Sequence, residues 1–319
     1  MDLSIAICTW NRADFLAQTL ERLTLLHLPP GLRWEILVVN NRCTDHTDQV
    51  IEAFADRLPV RRLYEGRQGQ SMARNLVLRE FRGEKLVFTD DDVLASPNWV
   101  ESLLEAFDQF GADVVFGRSL PVWLGGRPSW YFPQFGGVFA LLDYGPEPFV
   151  VTTDQHEFFG LNLAFTRRAT VDLGHYREDI GLVGPGGGGG EDTEMFDRCR
   201  TKGLKVVYQP GAVVEHMIPA DRSTKSRQRK QAWRGGRANY RLMISKSRGP
   251  ELLGLPRFLY RIVMEDAREC ARLLARGDWN QAFYREVRLI RFGALVREAL
   301  RTKLTKPAPR SGSQHSSRA

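Results

Sequence analysis

The sequence predicts an α/β fold, a mostly parallel sheet with helices on both faces, followed by a C-terminal helical extension. Over the first hundred residues, short apolar runs alternate with apolar positions at helical spacing, the pattern of βαβ units. Three of these runs end in polar clusters, Thr9/Asn11, Asn40/Asn41 and Asp90–Asp92. Open α/β sheets bind ligands beyond the carboxyl ends of their strands, so the three clusters are expected to share one crevice. Residues 255 to 304 then return to helical spacing without intervening strands.

In chain order, strands are expected at Leu3–Cys8, Trp34–Val39, Val60–Tyr64, Lys85–Thr89 and Asp113–Arg118. Crossover helices follow from Phe15, Leu16, Thr19, Leu20 and Leu23, from Val50, Ile51, Phe54 and Leu58, and from Leu103, Leu104 and Phe107. Trp123 to Phe139 is aromatic and rich in Gly and Pro, which predicts a loop, and its rings are expected mainly to anchor that loop to the core. Phe158–Phe165 resumes strand character. Gly184 to Gly190, six glycines and one proline, reads as a flexible hinge before a helix that opens at Glu191-Asp192. Lys205–Tyr208 and Ala212–Glu215 read as two further strands. In the helical stretch, Phe258, Leu259, Ile262 and Val263, then Phe283, Val287 and Ile290, supply the apolar positions. Beyond Thr305 the Pro, Ser and Arg composition cannot bury a core and reads as a disordered tail.

The net charge of +7 conceals two unlike parts. Residues 1 to 221 hold 21 Lys+Arg against 31 Asp+Glu, a net −10, whereas residues 222 to 319 hold 24 against 7, a net +17. A basic third of this kind is expected to meet something anionic: a phosphorylated substrate, a membrane surface or nucleic acid. Cys8, Cys43, Cys199 and Cys270 have no CxxC spacing and read as buried free thiols. The chain enters a strand-like run at once, and nowhere do 18 apolar residues follow one another, so a cytoplasmic protein without a membrane span is expected.

The run Val87-Phe88-Thr89-Asp90-Asp91-Asp92-Val93 ends a strand in three carboxylates, which repel one another unless a cation sits among them. Aspartates at alternate positions offer hard oxygen ligands to Mg²⁺ or Mn²⁺ and leave sites open for a substrate phosphate. An acidic turn closing a strand is the plainer reading.

With Ile7–Arg12, Val38–Thr47, Gly69 through Ala73-Arg74-Asn75, Thr89–Val93, Gly160–Phe165 and Gly188–Asp192 in this order, residues 3 to 216 resemble the family 2 glycosyltransferases, enzymes of the nucleotide-sugar-binding GT-A fold. The resemblance implies contacts to base and ribose from Thr9, Asn11, Asn40 and Arg74, and from Asp90 or Asp91 to the ribose. It implies Asp92 as a metal ligand, His216 as a further one, and Asp192 as the base that takes the acceptor hydroxyl's proton in a single inverting displacement. Thr9 and Asn11 also suit a helix N-cap, and Glu191 and Asp192 also suit the first turn of a helix. The family usually has Asp where this chain has Asn40. Asn can still accept the uracil N3–H through its amide oxygen but also donates, so the departure weakens the implication of uracil; UDP remains the leading donor nucleotide, with GDP and dTDP open. Arg222, Lys225 and Arg229 are candidates to grip phosphate.

The expected activity is thus metal-dependent inverting sugar transfer, a hexosyltransferase type, from a nucleotide-sugar donor to a saccharide or lipid-linked acceptor, in cell-surface polysaccharide or glycan assembly. The cofactor is Mn²⁺ or Mg²⁺. A peripheral contact at the inner membrane face fits the basic third, and the domain plan is 1–221, 222–304 and a tail of 305–319. Trp233, Tyr240 and Tyr260 lie among arginines, which would suit nucleic acid, but no nucleic-acid module is recognisable and no nucleic-acid partner is expected. A sugar nucleotidyltransferase would want a Gly-rich phosphate loop after the first strand, where this chain has Thr-Trp-Asn-Arg.

Overall fold

A computed structural model describes residues 1–153, 156–181, 189–244 and 251–305. The expected glycines 184–188 and the expected tail beyond 305 lie outside the described residues. The sheet is built from β1 (Leu3–Thr9), β2 (Trp34–Asn40), β3 (Val60–Tyr64), β4 (Lys85–Asp90), β5 (Val93–Ala95), β6 (Val114–Trp123), β7 (Phe149–Val150), β8 (Asn162–Thr166) and β9 (Val206–Ile218). Its order is β3-β2-β1-β4-β8-β6-β9-β5, with β7 also on β9. Strands β1 to β4 run parallel, β8 enters antiparallel between β4 and β6, and β6 and β9 are again parallel to each other. A short hairpin of β10 (Glu251–Leu252) and β11 (Leu255–Pro256) stands apart.

Helices α1 (Ala13–Leu23), α2 (Thr47–Ala53) and α4 (Trp99–Phe110) cover one face, and α3 (Gln70–Glu80), α5 (Arg167–Leu173) and α6 (Glu191–Thr201) the other. Strand alternation divides the core between them. Leu3, Ile5 and Ile7 of β1 pack with Leu16, Leu20, Trp99 and Phe107, whereas Ala6 faces Ala73, Val77, Phe88 and Phe165.

The basic extension forms three helices, α7 (Lys225–Ile244), α8 (Arg257–Ala275) and α9 (Trp279–Thr305). It is fastened to the sheet by an aromatic cluster in which Trp130, Phe135 and Phe139 meet Ala232, Phe283 and Val287. The rings of Phe135 and Phe283 stack with centroids 5.6 Å apart. Trp130 and Phe135 thus anchor the loop. Tyr240 and Tyr260 are packed with Leu255 and Leu295, and Trp233 lies under Arg297.

Several boundaries differ from the sequence expectation. The two strands expected at Lys205–Tyr208 and Ala212–Glu215 are one, β9, which starts at Val206 and whose Pro210-Gly211 coincides with a register shift opposite Gly117/Arg118. A bulge absorbs the residues that read as a break. The strand expected from Phe158 starts only at Asn162. All four cysteines are free, but only Cys199 is fully buried. Cys8, Cys43 and Cys270 are half-buried.

Candidate active site

The ends of β1, β2 and β4 meet in one corner because those strands are adjacent and parallel. Past β1, Asn11 takes a left-handed backbone (φ 52°), and its Oδ1 accepts the Thr44 N–H at 2.7 Å. The first turn of α1 is capped from the second loop, with Ala13 N–H donating to Asp45 Oδ2 at 3.0 Å. Thr9 and Asn11 do not cap the helix. Arg12, which the sequence reading overlooked, donates to Asp91 Oδ1 at 3.0 Å and to Asp92 Oδ2 at 2.6 Å. Its place just beyond β1, beside the end of β4, was the available signal. From α1, Thr19 Oγ1 donates to the Asp91 carbonyl and accepts the Val93 N–H, which fixes the acidic turn.

Asp91 and Asp92 are almost fully buried. Burial raises Asp90, and with it Asp91, which is pushed up to about 6 against the pull of Arg12. Burial would raise Asp92 as well, but His216, Arg12 and Arg222 outweigh it and hold that carboxyl below its usual range. The sequence could not divide the roles within this run, and the environments now differ.

Asp92 and His216 are joined through the backbone. β5 pairs antiparallel with β9, with Val93 opposite His216, and Met217 N–H donates to the Asp92 carbonyl at 2.9 Å. His216 is buried, and its Nδ1 lies 2.8 Å from the Phe139 carbonyl. A carbonyl only accepts, so Nδ1 carries a proton and Nε2 faces Asp92 Oδ2 at 3.2 Å. An imidazole nitrogen and a carboxylate oxygen aimed together suit a cation, and the Phe139 carbonyl plays the orienting part typical of a metal-bound histidine. Arg222 Nη1 reaches the same point, 3.1 Å from Asp92 Oδ2 and 3.4 Å from His216 Nε2. Among the described residues no third His, Cys, Asp or Glu joins them. The pair's donor set would fit a hard divalent cation such as Mn²⁺ or Mg²⁺, which would need further ligands from outside the protein.

Asp192 stands in the first turn of α6, after Gly190 in a left-handed conformation (φ 102°). Its Oδ1 accepts from Arg74 Nη1 at 2.5 Å and its Oδ2 from Gly160 N–H at 2.9 Å. A side chain at Gly160 would come within 2.0 Å of the Arg74 guanidinium and 2.8 Å of Asp192, so only glycine lets the three approach. Arg74 is 2 % exposed and packs between Phe88 and Tyr176. Neighbouring Glu191 is buried, and burial together with the Asp192 charge pushes its carboxyl up to about 7.

These groups share one cavity of about 1720 Å³, lined by Thr9, Asn11, Asp90, Asp91, Asp92, Asp192 and His216 among others. Two expected nucleotide contacts fall elsewhere. The Asn40 amide donates to Asp48 at 2.7 Å and its oxygen accepts the Cys43 N–H at 2.7 Å, so it braces the second loop, and Asn41 takes the cavity wall. Arg74 is likewise turned from the cavity onto Asp192 and positions that carboxylate. Arg222 lines the cavity, but Arg229 is paired with Glu286 and Lys225 lies over Phe283.

Residues 4–169 match the family described as Glycosyl transferase family 2, over half of the chain. The chain is a family 2 glycosyltransferase. It is 28% identical over 251 residues to the succinoglycan biosynthesis protein ExoM of Rhizobium meliloti, which spans 78% of this glycosyltransferase and 77% of ExoM. The mannosyltransferase PcManGT from Pyrobaculum calidifontis, solved with GDP-Man and Mn²⁺, superposes with a TM-score of 0.57 at 18% identity, covering 96% of this chain and 76% of PcManGT. S. aureus TarS 1-349 in complex with UDP-GlcNAc gives 0.54 at 16% identity, covering 95% and 92%. Of the longer TarS chain this glycosyltransferase covers 41%. At such identities the likeness carries the fold, which is GT-A. Among the described residues no helix is long and apolar enough to cross a membrane.

Proposed function

We propose that this glycosyltransferase is metal-dependent and inverting, and moves a sugar from a nucleoside-diphosphate sugar, UDP the leading nucleotide, to a hydroxyl of a saccharide or lipid-linked acceptor in polysaccharide assembly. The observation that carries the reading is the convergence of Asp92 Oδ2 and His216 Nε2, 3.2 Å apart, in the cavity that also holds Asp192. ExoM is named for succinoglycan biosynthesis, and PcManGT holds Mn²⁺ with its sugar nucleotide, which supports the pathway class and the ion.

In this reading Asp92 and His216 hold the ion, which when bound supplies Lewis-acid stabilisation of the diphosphate. Asp192 takes the acceptor's hydroxyl proton as the new oxygen–carbon bond forms and the bond from the anomeric carbon to the diphosphate breaks. The departing diphosphate keeps the bonding electron pair, and the anomeric configuration inverts. Each Asp192 oxygen has one hydrogen bond and a lone pair left for the acceptor, while Arg74 and Gly160 fix its direction. Arg222 can pass from Asp92 to the diphosphate without leaving the cavity.

Calorimetry with UDP, GDP and dTDP, each with Mn²⁺ and with EDTA, tests the proposal. UDP is expected to bind only with the ion, and Asp92→Ala to abolish that binding while the chain stays folded. Equal UDP affinity in EDTA, or in the variant, would overturn it.

A further inference from the structure

The cavity wall contributed by the basic extension has a chemistry that the transfer reaction does not use. Helix α9 presents Tyr284, Val287, Arg288 and Arg291, at spacing i, i+3, i+4 and i+7, which is one continuous stripe. Helix α7 presents Arg227, Gln231 and Arg234 in the same way, and Arg257 with Phe258 opens α8 at the cavity. The two long helices are in close contact here, since a side chain at Gly236 would come within 2.3 Å of the Arg291 carbonyl. Leu242 of α7 reaches Gly190, the residue that precedes the Glu191-Asp192 turn, so this wall adjoins the base.

The arginines sort by where they point. Arg229, Arg237 and Arg285, which do not line the cavity, hold Glu286, Glu298 and Asp266. Arg288 lines it and also holds Asp266. Among the described residues, Arg227, Arg234, Arg257 and Arg291 have no carboxylate within ion-pair distance, and the buried Nε of Arg291 has no hydrogen-bond partner. Burial acts against the Arg291 charge as well. Guanidinium groups of one sign lining a single cavity offer charge-assisted, bidentate hydrogen bonds to a multiply charged anion, and at the buried Nε of Arg291 such an anion would supply the missing partner. In the transfer reading the donor's diphosphate has its own partners, Arg222 and the cation that Asp92 and His216 would hold.

We propose that Arg227, Arg234, Arg257 and Arg291 form a second anion subsite, which takes a phosphate or diphosphate group carried by the acceptor while the acceptor's hydroxyl lies at Asp192. The inference rests on the glycosyl-transfer reading of this cavity. Four unpaired cations suit the two or more charges of a phosphate ester better than the single charge of a carboxylate. Phe258, 62% exposed beside Arg257, offers an apolar contact where an alkyl chain would leave the cavity.

The test is calorimetry on the full chain saturated with UDP and Mn²⁺, titrated with inorganic pyrophosphate, with farnesyl diphosphate, with glucose 1-phosphate and with glucuronate. The loaded protein is expected to bind pyrophosphate. Arg227→Gln/Arg234→Gln is expected to weaken this at least tenfold and to change UDP affinity less than twofold. Arg257→Gln, on the exposed start of α8, serves as a second variant should the first lose its thermal transition. Tighter farnesyl diphosphate than glucose 1-phosphate would support a lipid-borne phosphate, and the reverse order a free sugar phosphate. A parallel loss of UDP affinity, glucuronate binding equal to pyrophosphate, or no pyrophosphate binding to the loaded protein would each overturn the subsite. Failure of the parent to bind UDP at all would instead fall on the transfer reading.

Discussion

At the scale of single residues, the centre is a set of carboxylates that the fold has made unequal. Asp192 is held by Arg74 and Gly160, Asp92 by Arg12, Arg222 and His216, and Glu191 is buried beside Asp192. Asp192→Asn keeps the size and can still accept from Arg74, but an amide cannot take a proton. It is expected to bind UDP and Mn²⁺ like the parent and to transfer sugar about 10²–10⁴-fold more slowly, as read from single-turnover rates. Near-parental turnover would move the role to another group. Glu191 makes a separate prediction. Its carboxyl is raised from 4.5 to about 7 in the folded chain, so the folded state holds a proton that the unfolded state has released. Stability is therefore lost as pH climbs through that window. Glu191→Gln removes the ionisation, and the melting temperature of the variant relative to the parent is expected to rise between pH 5 and pH 7 and to level off above that. A difference that does not vary with pH would contradict the assignment.

At the scale of elements, the extension is attached by rings. Phe283 of α9 is 2% exposed and lies against Phe135 and Trp130. Phe283→Ala leaves a cavity there and is expected to cost about 3–5 kcal/mol in denaturant unfolding. A cost under about 1 kcal/mol would mean that α9 is fastened elsewhere. Legibility also varied by element. β4 and its acidic end were readable because an apolar run met three carboxylates, and α1 and α4 because their buried positions, Thr19 apart, are apolar. α3 was not identified because its buried side carries Ser71, Arg74 and Asn75, which erases the apolar period. β5 has three residues, too few for a pattern, although it delivers Asp92 to His216. The candidate site was readable as a set of strand ends, and Asp92, His216 and Asp192 do line one cavity. The turning of Asn40 and Arg74 away from it was not readable, since their partners, Asp48 and Asp192, are chosen by packing.

At the scale of the whole molecule, an acidic sheet domain carries a basic helical cap, with net charges of −10 before residue 222 and +17 from there on. On α8, Phe258 and Met264 are 62% and 52% exposed, close in sequence to Arg257, Arg261 and Arg268, and Trp279 at the start of α9 is 66% exposed. We expect this surface to rest on an anionic bilayer, where each nearby Lys or Arg contributes about 1 kcal/mol. Co-sedimentation should therefore favour vesicles containing phosphatidylglycerol over neutral ones and weaken with added salt. Equal, negligible binding to both at low salt would exclude it. The pairing of β5 with β9 sets a different limit on the molecule. Val93 lies opposite His216, and successive strand residues point to opposite faces, so the chain's length between these two strands is free to vary but their phase is not. Residues added at the exposed stretch 124–127, after β6, would lengthen a surface connection. One residue added within β5 would shift the phase of Asp92, and one added between Val213 and His216 that of the imidazole; either would part the carboxylate from the imidazole. Descendants of this chain can accordingly drift in loop length while the Asp92–His216 pairing acts as a frame that permits no single-residue slip.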